Sequence, residues 1–113
     1  MPVRWKVCPC NRRYAVSDRG SVRNKKTRLV VRTYDNGRGY LRVRLYHANW
    51  GARWYPVHLL VLRTFDCERP GPEFEGAHHN GDRLDNRLKN LFWKTKEQNT
   101  ADRVKHYKAR KCT

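Results

Sequence analysis

The sequence predicts an α+β fold, in which an antiparallel β-rich N-terminal module precedes a segment that mixes strands and helices. Over residues 1–56, short stretches of alternating apolar and polar residues are separated by turn residues, most clearly at Asp35–Gly39. This pattern is typical of antiparallel strands. From residue 57 onwards, an apolar helical stretch, a polar loop, a short apolar strand and a second helical stretch follow in order. We therefore divide the chain into residues 1–56, residues 57–107 and a basic tail over residues 108–113.

The β segments of the N-terminal module follow one another at short intervals. Tyr14–Ser17 and Ser21–Asn24 flank an Asp-Arg-Gly turn, so we predict a hairpin there. Further strands are predicted over residues 29–33, 40–46 and 54–57, with a loop over residues 47–53. The later elements are a buried helix over residues 58–65, a buried strand over residues 91–93 and a helix over residues 96–107.

Arginines lie on one face of the strand predicted over residues 40–46. Its leucines and valine alternate with Arg42 and Arg44 at the period of two that a half-buried strand shows. Arginines on the open face of such a strand can contact a phosphate backbone or enter a groove. The alternative is that they only solvate an exposed face. The candidate nucleic-acid contacts are Arg28, Arg32, Arg42, Arg44 and, near the C-terminus, Arg103.

The composition is strongly basic, with 26 Lys and Arg against 10 Asp and Glu and a formal net charge of +16. Such a charge suits nucleic acid or an anionic membrane as a partner. The basic residues are interleaved with aromatic and β-branched residues instead of lining one amphipathic helix, which favours nucleic acid. We find no apolar stretch long enough to span a bilayer and no signal peptide. We therefore expect a cytoplasmic protein that binds nucleic acid.

The four cysteines are Cys8, Cys10, Cys67 and Cys112. Without a secretion signal they do not indicate a disulfide framework, and free thiols in a reducing cytosol are the default expectation. A structural zinc ion bound by all four is possible by ligand type, but their spacing does not support it. The Cys8-Pro9-Cys10 stretch has no evident function.

A polar segment over residues 76–99 holds two histidines, four asparagines and two aspartates. Asn and Asp side chains bond to nearby backbone, so such a segment can be a set of self-capping turns. The alternative is a site for a metal ion and a phosphate, since these residues supply oxygen ligands and a base.

Several short motifs occur in this part of the chain, in a fixed order. They are His78-x-Asn80-Gly81-Asp82, Asp85-Asn86-Arg87, Asn90-Leu91-x-Trp93, and then Thr95 and Asn99. Upstream lie Tyr14-x-Val16-Ser17-x-x-Gly20-x-Val22-Arg23-Asn24, Gly39-Tyr40-Leu41-x-Val43-x-Leu45 and Val57-His58-x-Leu60-Val61-x-x-x-Phe65. Together they resemble phage HNH homing endonucleases, in which a β-rich DNA-binding module precedes a ββα-metal (HNH) nuclease motif. The resemblance implies metal-dependent cleavage of double-stranded DNA, as a nick or a double-strand break.

The resemblance assigns roles to individual residues. It implies that His78 is the general base, whereas the adjacent His79 points to the opposite side of an extended backbone. It groups Asn90 with the catalytic residues as the central Asn that orients the loop. It implies that Asn99 binds one divalent ion, Mg²⁺ or Mn²⁺, through its amide oxygen. It makes His58, Asp85 and Asn86 supports of the site, and we expect His58 to reach the loop by a hydrogen bond.

Ala77 departs from the pattern, because many relatives have a metal-binding Asp immediately before the catalytic His. This departure leaves open a catalytically silent DNA-binding protein on a degenerate HNH scaffold. A small zinc-stabilised nucleic-acid-binding module that uses the cysteines is a further alternative. We expect a monomer or a homodimer, modest sequence specificity, and, if the gene belongs to a phage, the cytoplasm of the bacterial host.

Overall fold

The structure is a computed structural model that describes residues 2–66 and 68–95. It contains three small antiparallel sheets arranged around one helix. The strands are β1 (Trp5–Val7), β2 (Tyr14–Ser17), β3 (Val22–Asn24), β4 (Tyr34–Asp35), β5 (Leu41–His47), β6 (Gly51–Pro56), β7 (Phe74–His78) and β8 (Leu91–Thr95). The helix is α1 (Val57–Phe65), and a 3₁₀ turn spans Leu88–Asn90.

The first sheet has the order β1-β2-β3 and contains the predicted hairpin. Val16 of β2 pairs with Lys6 on one side and with Val22 on the other. All four residues of β2 are buried, so this central strand anchors the N-terminal module. Strand β1 was not predicted, because it is a three-residue edge strand with two exposed residues and gives no alternation signal.

The second sheet has the order β4-β5-β6 and corrects two predictions. The strand expected over residues 29–33 is absent, since Val30 makes only one isolated bridge and β4 begins at Tyr34. Leu29 and Val30 are 71% and 65% exposed, so these two apolar side chains are not buried in a sheet as the prediction assumed. The loop expected over residues 47–53 is shorter, because His47 already pairs with Gly51 across the β5–β6 hairpin.

The helix α1 packs against all three sheets and forms the centre of one shared core. The strand β8 pairs with β7 in the third sheet and extends the predicted strand over residues 91–93. Burying each large aliphatic side chain contributes about 1.5–3 kcal/mol. The fully or nearly fully buried members of this core are Cys8, Val16, Val22, Val43, Leu45, Val57, Leu60, Val61, Leu62 and Trp93. The two predicted segments therefore pack on each other through common side chains.

Some predictions fall outside the described residues. These are the helix over residues 96–107, the basic tail over residues 108–113, and the roles given to Asn99, Arg103, Cys67 and Cys112. Among the helices that the structure does describe, none has the length and apolar character needed to cross a membrane.

Candidate active site

The candidate base, His78, is the last residue of β7, where the strand opens into the polar loop over residues 79–90. It pairs with Leu91, the first residue of β8. The backbone N–H of His79 donates to the carbonyl oxygen of Asn90 over 2.8 Å and closes the loop at its base. The His79 ring stacks on Phe92 with 4.2 Å between ring centroids. Only the His78 ring therefore belongs to the cluster described next.

Asn86 holds the ring of His78. The side-chain oxygen Oδ1 of Asn86 lies 2.8 Å from Nε2 of His78, and Asn86 is 5% exposed. An amide oxygen only accepts hydrogen bonds, so Nε2 carries the proton and Nδ1 keeps its lone pair in the neutral ring. Sequence reasoning placed Asn86 in the loop as a brace. Its contact with the base itself depends on how the loop folds back, and no local pattern encodes that.

His58 and Tyr40 line the ring of His78 on the protein side. The centroid of the His58 ring lies 5.1 Å from that of His78, and Tyr40 stacks on His58 at 5.4 Å. Burial, with a smaller contribution from the charge of His78, lowers the pKa of His58 to about 4. His58 is thus neutral near pH 7 and acts as part of an apolar wall.

The hydrogen bond expected between His58 and the loop is not found among the described residues. His58 instead lies against the backbone of β7, and a Cβ added to Gly76 would come within 2.8 Å of its Cδ2 atom. The glycine thus lets α1 approach the strand that carries His78. The link between helix and loop is made by ring packing.

Asn90 ties the loop together. Its side-chain Nδ2 donates to the carbonyl oxygen of Asp85 over 2.8 Å and to Oδ1 of Asn80 over 3.0 Å. Its Oδ1 accepts from the backbone N–H of Asn80 over 3.2 Å. The described contacts of its side chain are with the loop rather than with the His78 ring, so its geometry is that of a positioning residue.

Asp85 is engaged by its neighbours in the loop. Arg87 donates to both carboxylate oxygens over 2.7 Å, and Nδ2 of Asn80 donates to Oδ2 over 3.1 Å. The hydrogen bonds from Arg87 hold the pKa of Asp85 well below its usual range. The Asp85 carboxylate is therefore charged, and its hydrogen bonds with Asn80 and Arg87 stabilise the loop.

The turn between β2 and β3 packs closely against the same loop. Gly20 has a φ of +89°, and a Cβ at this position would lie 2.9 Å from both Cβ and the carbonyl oxygen of Asn86. Next to this contact, the backbone N–H of Leu88 donates to the carbonyl oxygen of Asp18 over 2.8 Å. The sequence marks Gly20 as a turn residue, but the close approach to Asn86 is a long-range contact that the sequence does not reveal.

Arg83 connects the loop to the turn between β4 and β5. Its guanidinium donates to the carbonyl oxygen of Arg38 over 2.8 Å and lies 4.6 Å above the ring of Tyr40. An open groove of about 500 Å³ lies beside these residues. It is lined by Asn36, Tyr40, Pro56, His58, Leu59, Arg69, Glu75, Gly76, Ala77, His78, Gly81, Arg83 and Lys94. Its three cationic side chains give the groove the charge that suits a phosphate group.

Side chains that commonly bind metal ions are not clustered in the part of the chain that the structure describes. Within residues 2–66 and 68–95, no three His, Cys, Asp or Glu side chains are grouped to hold a metal ion. Ala77 is buried and pairs with Phe92, and it carries no ligand atom. Glu75 is the acidic residue that lines the groove beside His78.

The second sheet gathers three of the five predicted DNA-contacting arginines. A second groove of about 580 Å³ is lined by Val31, Arg32, Tyr34, Asp35, Arg42, Arg44 and Trp54. The guanidinium of Arg42 lies 4.2 Å above the ring of Trp54, and that of Arg32 lies 5.2 Å above Tyr34. Arg28 lies apart from this lining, in a turn where its φ is +66°.

Two sequence families account for most of the chain. Residues 4–46 match the NUMOD4 motif, and residues 55–101 match the HNH endonuclease family. The chain is 36% identical over 104 residues to an uncharacterised HNH endonuclease of Acanthamoeba polyphaga mimivirus, covering 88% of this chain and 26% of that protein. It is 29% identical over 90 residues to a candidate HNH homing endonuclease from the SPβ prophage of Bacillus subtilis (strain 168), covering 80% and 51%.

A solved structure has a similar fold. The HNH homing endonuclease I-HmuI, described with DNA binding and cleavage, matches with a TM-score of 0.78 and 26% identity, over 89% of this chain and 57% of that chain. The predicted α+β fold and the resemblance to HNH homing endonucleases are thereby confirmed. The chain spans about a quarter and about half of the lengths of the two curated relatives.

The contact between Gly20 and Asn86 predicts an unequal response of two glycines to substitution. Gly37 has a similar φ of +92°, but nothing lies within 4 Å of an added Cβ. Gly37→Ala should cost only the left-handed backbone penalty of about 1–2 kcal/mol. Gly20→Ala should cost clearly more, because its Cβ also meets the Asn86 backbone. Urea unfolding of both variants measures the difference, and equal costs would show that the contact is not tight.

The hydrogen bond from Nε2 of His78 to Oδ1 of Asn86 predicts the tautomer of His78. In the neutral ring, Nε2 should be protonated, and Asn86→Ala should convert this single tautomer into a mixture. Long-range ¹H–¹⁵N spectra of the imidazole nitrogens measure the change. His79 is an internal control, because its ring stacks on Phe92 and its signals should not move. A His78 spectrum that is the same in both proteins would contradict the assignment.

Proposed function

Since residues 55–101 belong to the HNH endonuclease family and follow a NUMOD4 motif, we propose that this protein is a metal-dependent endonuclease of double-stranded DNA. The observation that carries the proposal is the ring of His78. It is held at Nε2 by Asn86 and lines a groove with Arg69, Arg83 and Lys94. A base with a fixed tautomer beside cationic side chains is what hydrolysis of a phosphodiester requires.

In the proposed reaction, His78 accepts a proton from the attacking water through Nδ1. The Asn86 oxygen keeps the proton on Nε2 and stabilises the imidazolium that forms, since Nε2–H is then a stronger donor. Arg83 and Lys94 hold the non-bridging oxygens of the scissile phosphate in the groove. Positioned general bases contribute about 10²–10⁴-fold to rate.

We propose that one divalent ion, Mg²⁺ or Mn²⁺, takes part, with the amide oxygen of Asn99 as a protein ligand. When bound, the ion supplies positive charge for the phosphate and the leaving oxygen. Mg²⁺ keeps several waters and is often held by one or two protein groups together with substrate phosphate. An ion held this way does not require an acidic residue at Ala77.

The open face of the second sheet is the proposed DNA-binding surface. Arg32, Arg42 and Arg44 lie around one groove with two exposed aromatic rings, Tyr34 and Trp54. The guanidinium groups of Arg32 and Arg42 already lie above these two rings. Binding a phosphate therefore costs less conformational entropy than it would for freely moving side chains. Arg28 and Arg103 are further candidate contacts outside this groove. Contacts of this kind give affinity that falls steeply with salt.

The second candidate function is that of a catalytically silent DNA-binding protein. Ala77 favours it, because this position provides no metal ligand. The His78 ring disfavours it, because Asn86 fixes the tautomer of this ring and cationic side chains lie in the same groove. A protein that only binds DNA has no need of a histidine with a fixed tautomer.

One active site per chain makes a monomer that nicks one strand the simplest assembly, and a homodimer would supply two sites for a double-strand break. Because DNA is the proposed substrate, we place the protein with host DNA, in the bacterial cytoplasm if the gene belongs to a phage.

Cleavage of supercoiled plasmid in Mg²⁺ or Mn²⁺ tests the nuclease. The wild-type protein should produce open-circle or linear DNA, and EDTA should stop the reaction. His78→Ala should slow cleavage by about 10²–10⁴-fold, because the water loses its base. His79→Ala is the matched control and should stay close to the wild type, since its ring faces Phe92.

Two results of the plasmid assay would contradict the proposal. Retardation of the plasmid without cutting in any metal would support the silent DNA-binding protein. Equal losses in His78→Ala and His79→Ala would show that His78 is not the base.

Salt titration of DNA binding tests the sheet surface. Arg44 is exposed on β5 and lines the second groove, so Arg44→Ala should weaken binding and lower the slope of log Kd against log salt by about one. Arg44→Lys keeps the charge and should keep the slope. A slope that is unchanged in Arg44→Ala would place DNA on another face.

A further inference from the structure

Two thiols lie against each other in the loop between β1 and β2, away from the candidate active site. The sulfur atoms of Cys8 and Cys10 are 3.1 Å apart, and neither forms a disulfide. Cys8 is fully buried in the shared core, whereas Cys10 is partly exposed. The pair thus has an inner sulfur and an outer sulfur that a reagent can reach.

The loop holds the two thiols close. The backbone N–H of Cys8 donates to the carbonyl oxygen of Tyr14 over 2.9 Å, and that of Asn11 donates to the carbonyl oxygen of Cys8 over 3.3 Å. Pro9 between the thiols fixes its own φ. A disulfide needs about 2.05 Å between its sulfurs, so closure requires an approach of about 1 Å.

The pair is also chemically unequal. The hydrogen bond from the Cys10 thiol lowers the pKa of Cys8 to about 7, despite the opposing effect of burial. The same hydrogen bond raises the pKa of Cys10. The two sulfurs thus share one proton near neutral pH, and a thiolate is the reactive form of cysteine.

We propose that Cys8 and Cys10 form a redox-active dithiol that a low-molecular-weight disulfide oxidises to an intramolecular disulfide. In compartments that keep thiols reduced, disulfides are usually transient and catalytic or redox-sensing. This modification site does not depend on the nuclease function.

The reaction proceeds by two thiol–disulfide exchanges. The Cys10 thiol first passes its proton to the Cys8 thiolate across the contact between the two sulfurs. The outer Cys10 sulfur, now a thiolate, then attacks one sulfur of the reagent RSSR, forms a mixed disulfide and releases RS⁻. The Cys8 sulfur then attacks the Cys10 sulfur, the Cys8–Cys10 bond forms, and the second RS⁻ leaves. The Cys8 thiol gives its proton to the first RS⁻ before it attacks, so the two cysteines lose two electrons to the reagent, which leaves as one RSH and one RS⁻.

Hydrogen bonds connect the loop that carries the two thiols to the second sheet. Nδ2 of Asn11 donates to the carbonyl oxygen of Tyr46 over 2.9 Å, and the backbone N–H of Tyr46 donates to the Tyr14 hydroxyl over 3.1 Å. Closure of the disulfide moves the loop that carries Asn11. The backbone amide signal of Tyr46 should therefore shift on oxidation.

In the test, the reduced protein is incubated with oxidised glutathione, and the remaining thiols are then trapped with an alkylating agent. Trypsin cuts after Lys6 and after Arg12, so one peptide carries both thiols. We expect this peptide to be unalkylated and lighter by two hydrogen atoms, and dithiothreitol should restore alkylation.

Two variants separate the inner thiol from the outer one. Cys8→Ser should stop the reaction at a glutathione adduct on Cys10. Cys10→Ser should leave the buried Cys8 reduced and without an adduct, and it preserves the packing of Cys8 in the core.

Three outcomes would overturn the proposal. The first is that both thiols are alkylated at every ratio of oxidised to reduced glutathione. The second is that either thiol pairs with Cys67 or Cys112. The third is that one equivalent of zinc added to metal-free protein protects both thiols and no oxidised peptide forms, because the pair would then be a set of metal ligands.

Discussion

The burial of α1 against three sheets is the constraint on which the rest of the structure depends. Two of the sheets have three strands and one has two, and sheets of this size become stable when an apolar face is covered, for example by a helix. Val57, Leu60, Val61 and Leu62 present apolar side chains on several sides of the helix, so each sheet covers part of it. The segment that matches the NUMOD4 motif and the segment that matches the HNH endonuclease family therefore share one core, although sequence families treat them as separate units.

This shared core explains how the candidate base is positioned. The ring of His78 is hydrogen-bonded to Asn86, and Asn86 packs closely against Gly20 in the β2–β3 turn. On its other side, the His78 ring packs near the ring of Tyr40, and the guanidinium of Arg83 lies above Tyr40. Arg83 in turn donates a hydrogen bond to the β4–β5 turn. Groups that orient a reactive side chain determine its effectiveness as much as the side chain itself. Here, Asn86 and Arg83 belong to the second segment, whereas Gly20 and Tyr40, which contact them, come from the N-terminal module.

Local patterns in the sequence were sufficient for most elements of the fold. The hairpin over residues 14–24, the alternation in β5 and the apolar stretch of α1 each carry their own periodicity. The same reasoning failed at residues 29–33, where apolar residues occur without a neighbouring strand to cover them, and at β1, which is too short to show a period. The order of motifs brought His78, Asn86 and Asn90 to notice. It did not reveal that Asn86 bonds to the ring or that Gly20 supports it, because these contacts join residues far apart in sequence.

The positive charge of the groove beside His78 affects how a metal ion would bind in a chain that has Ala77 instead of an acidic residue. Asp85 is neutralised by Arg87. The groove beside His78 is lined by one carboxylate, Glu75, and by three cationic side chains, so its net charge is positive. Such a groove repels a free cation and attracts a phosphate. The phosphate brings negative charge and oxygen ligands, so a divalent ion would bind with the substrate far better than without it. An alanine at this position is therefore compatible with a nuclease whose metal ion arrives together with DNA.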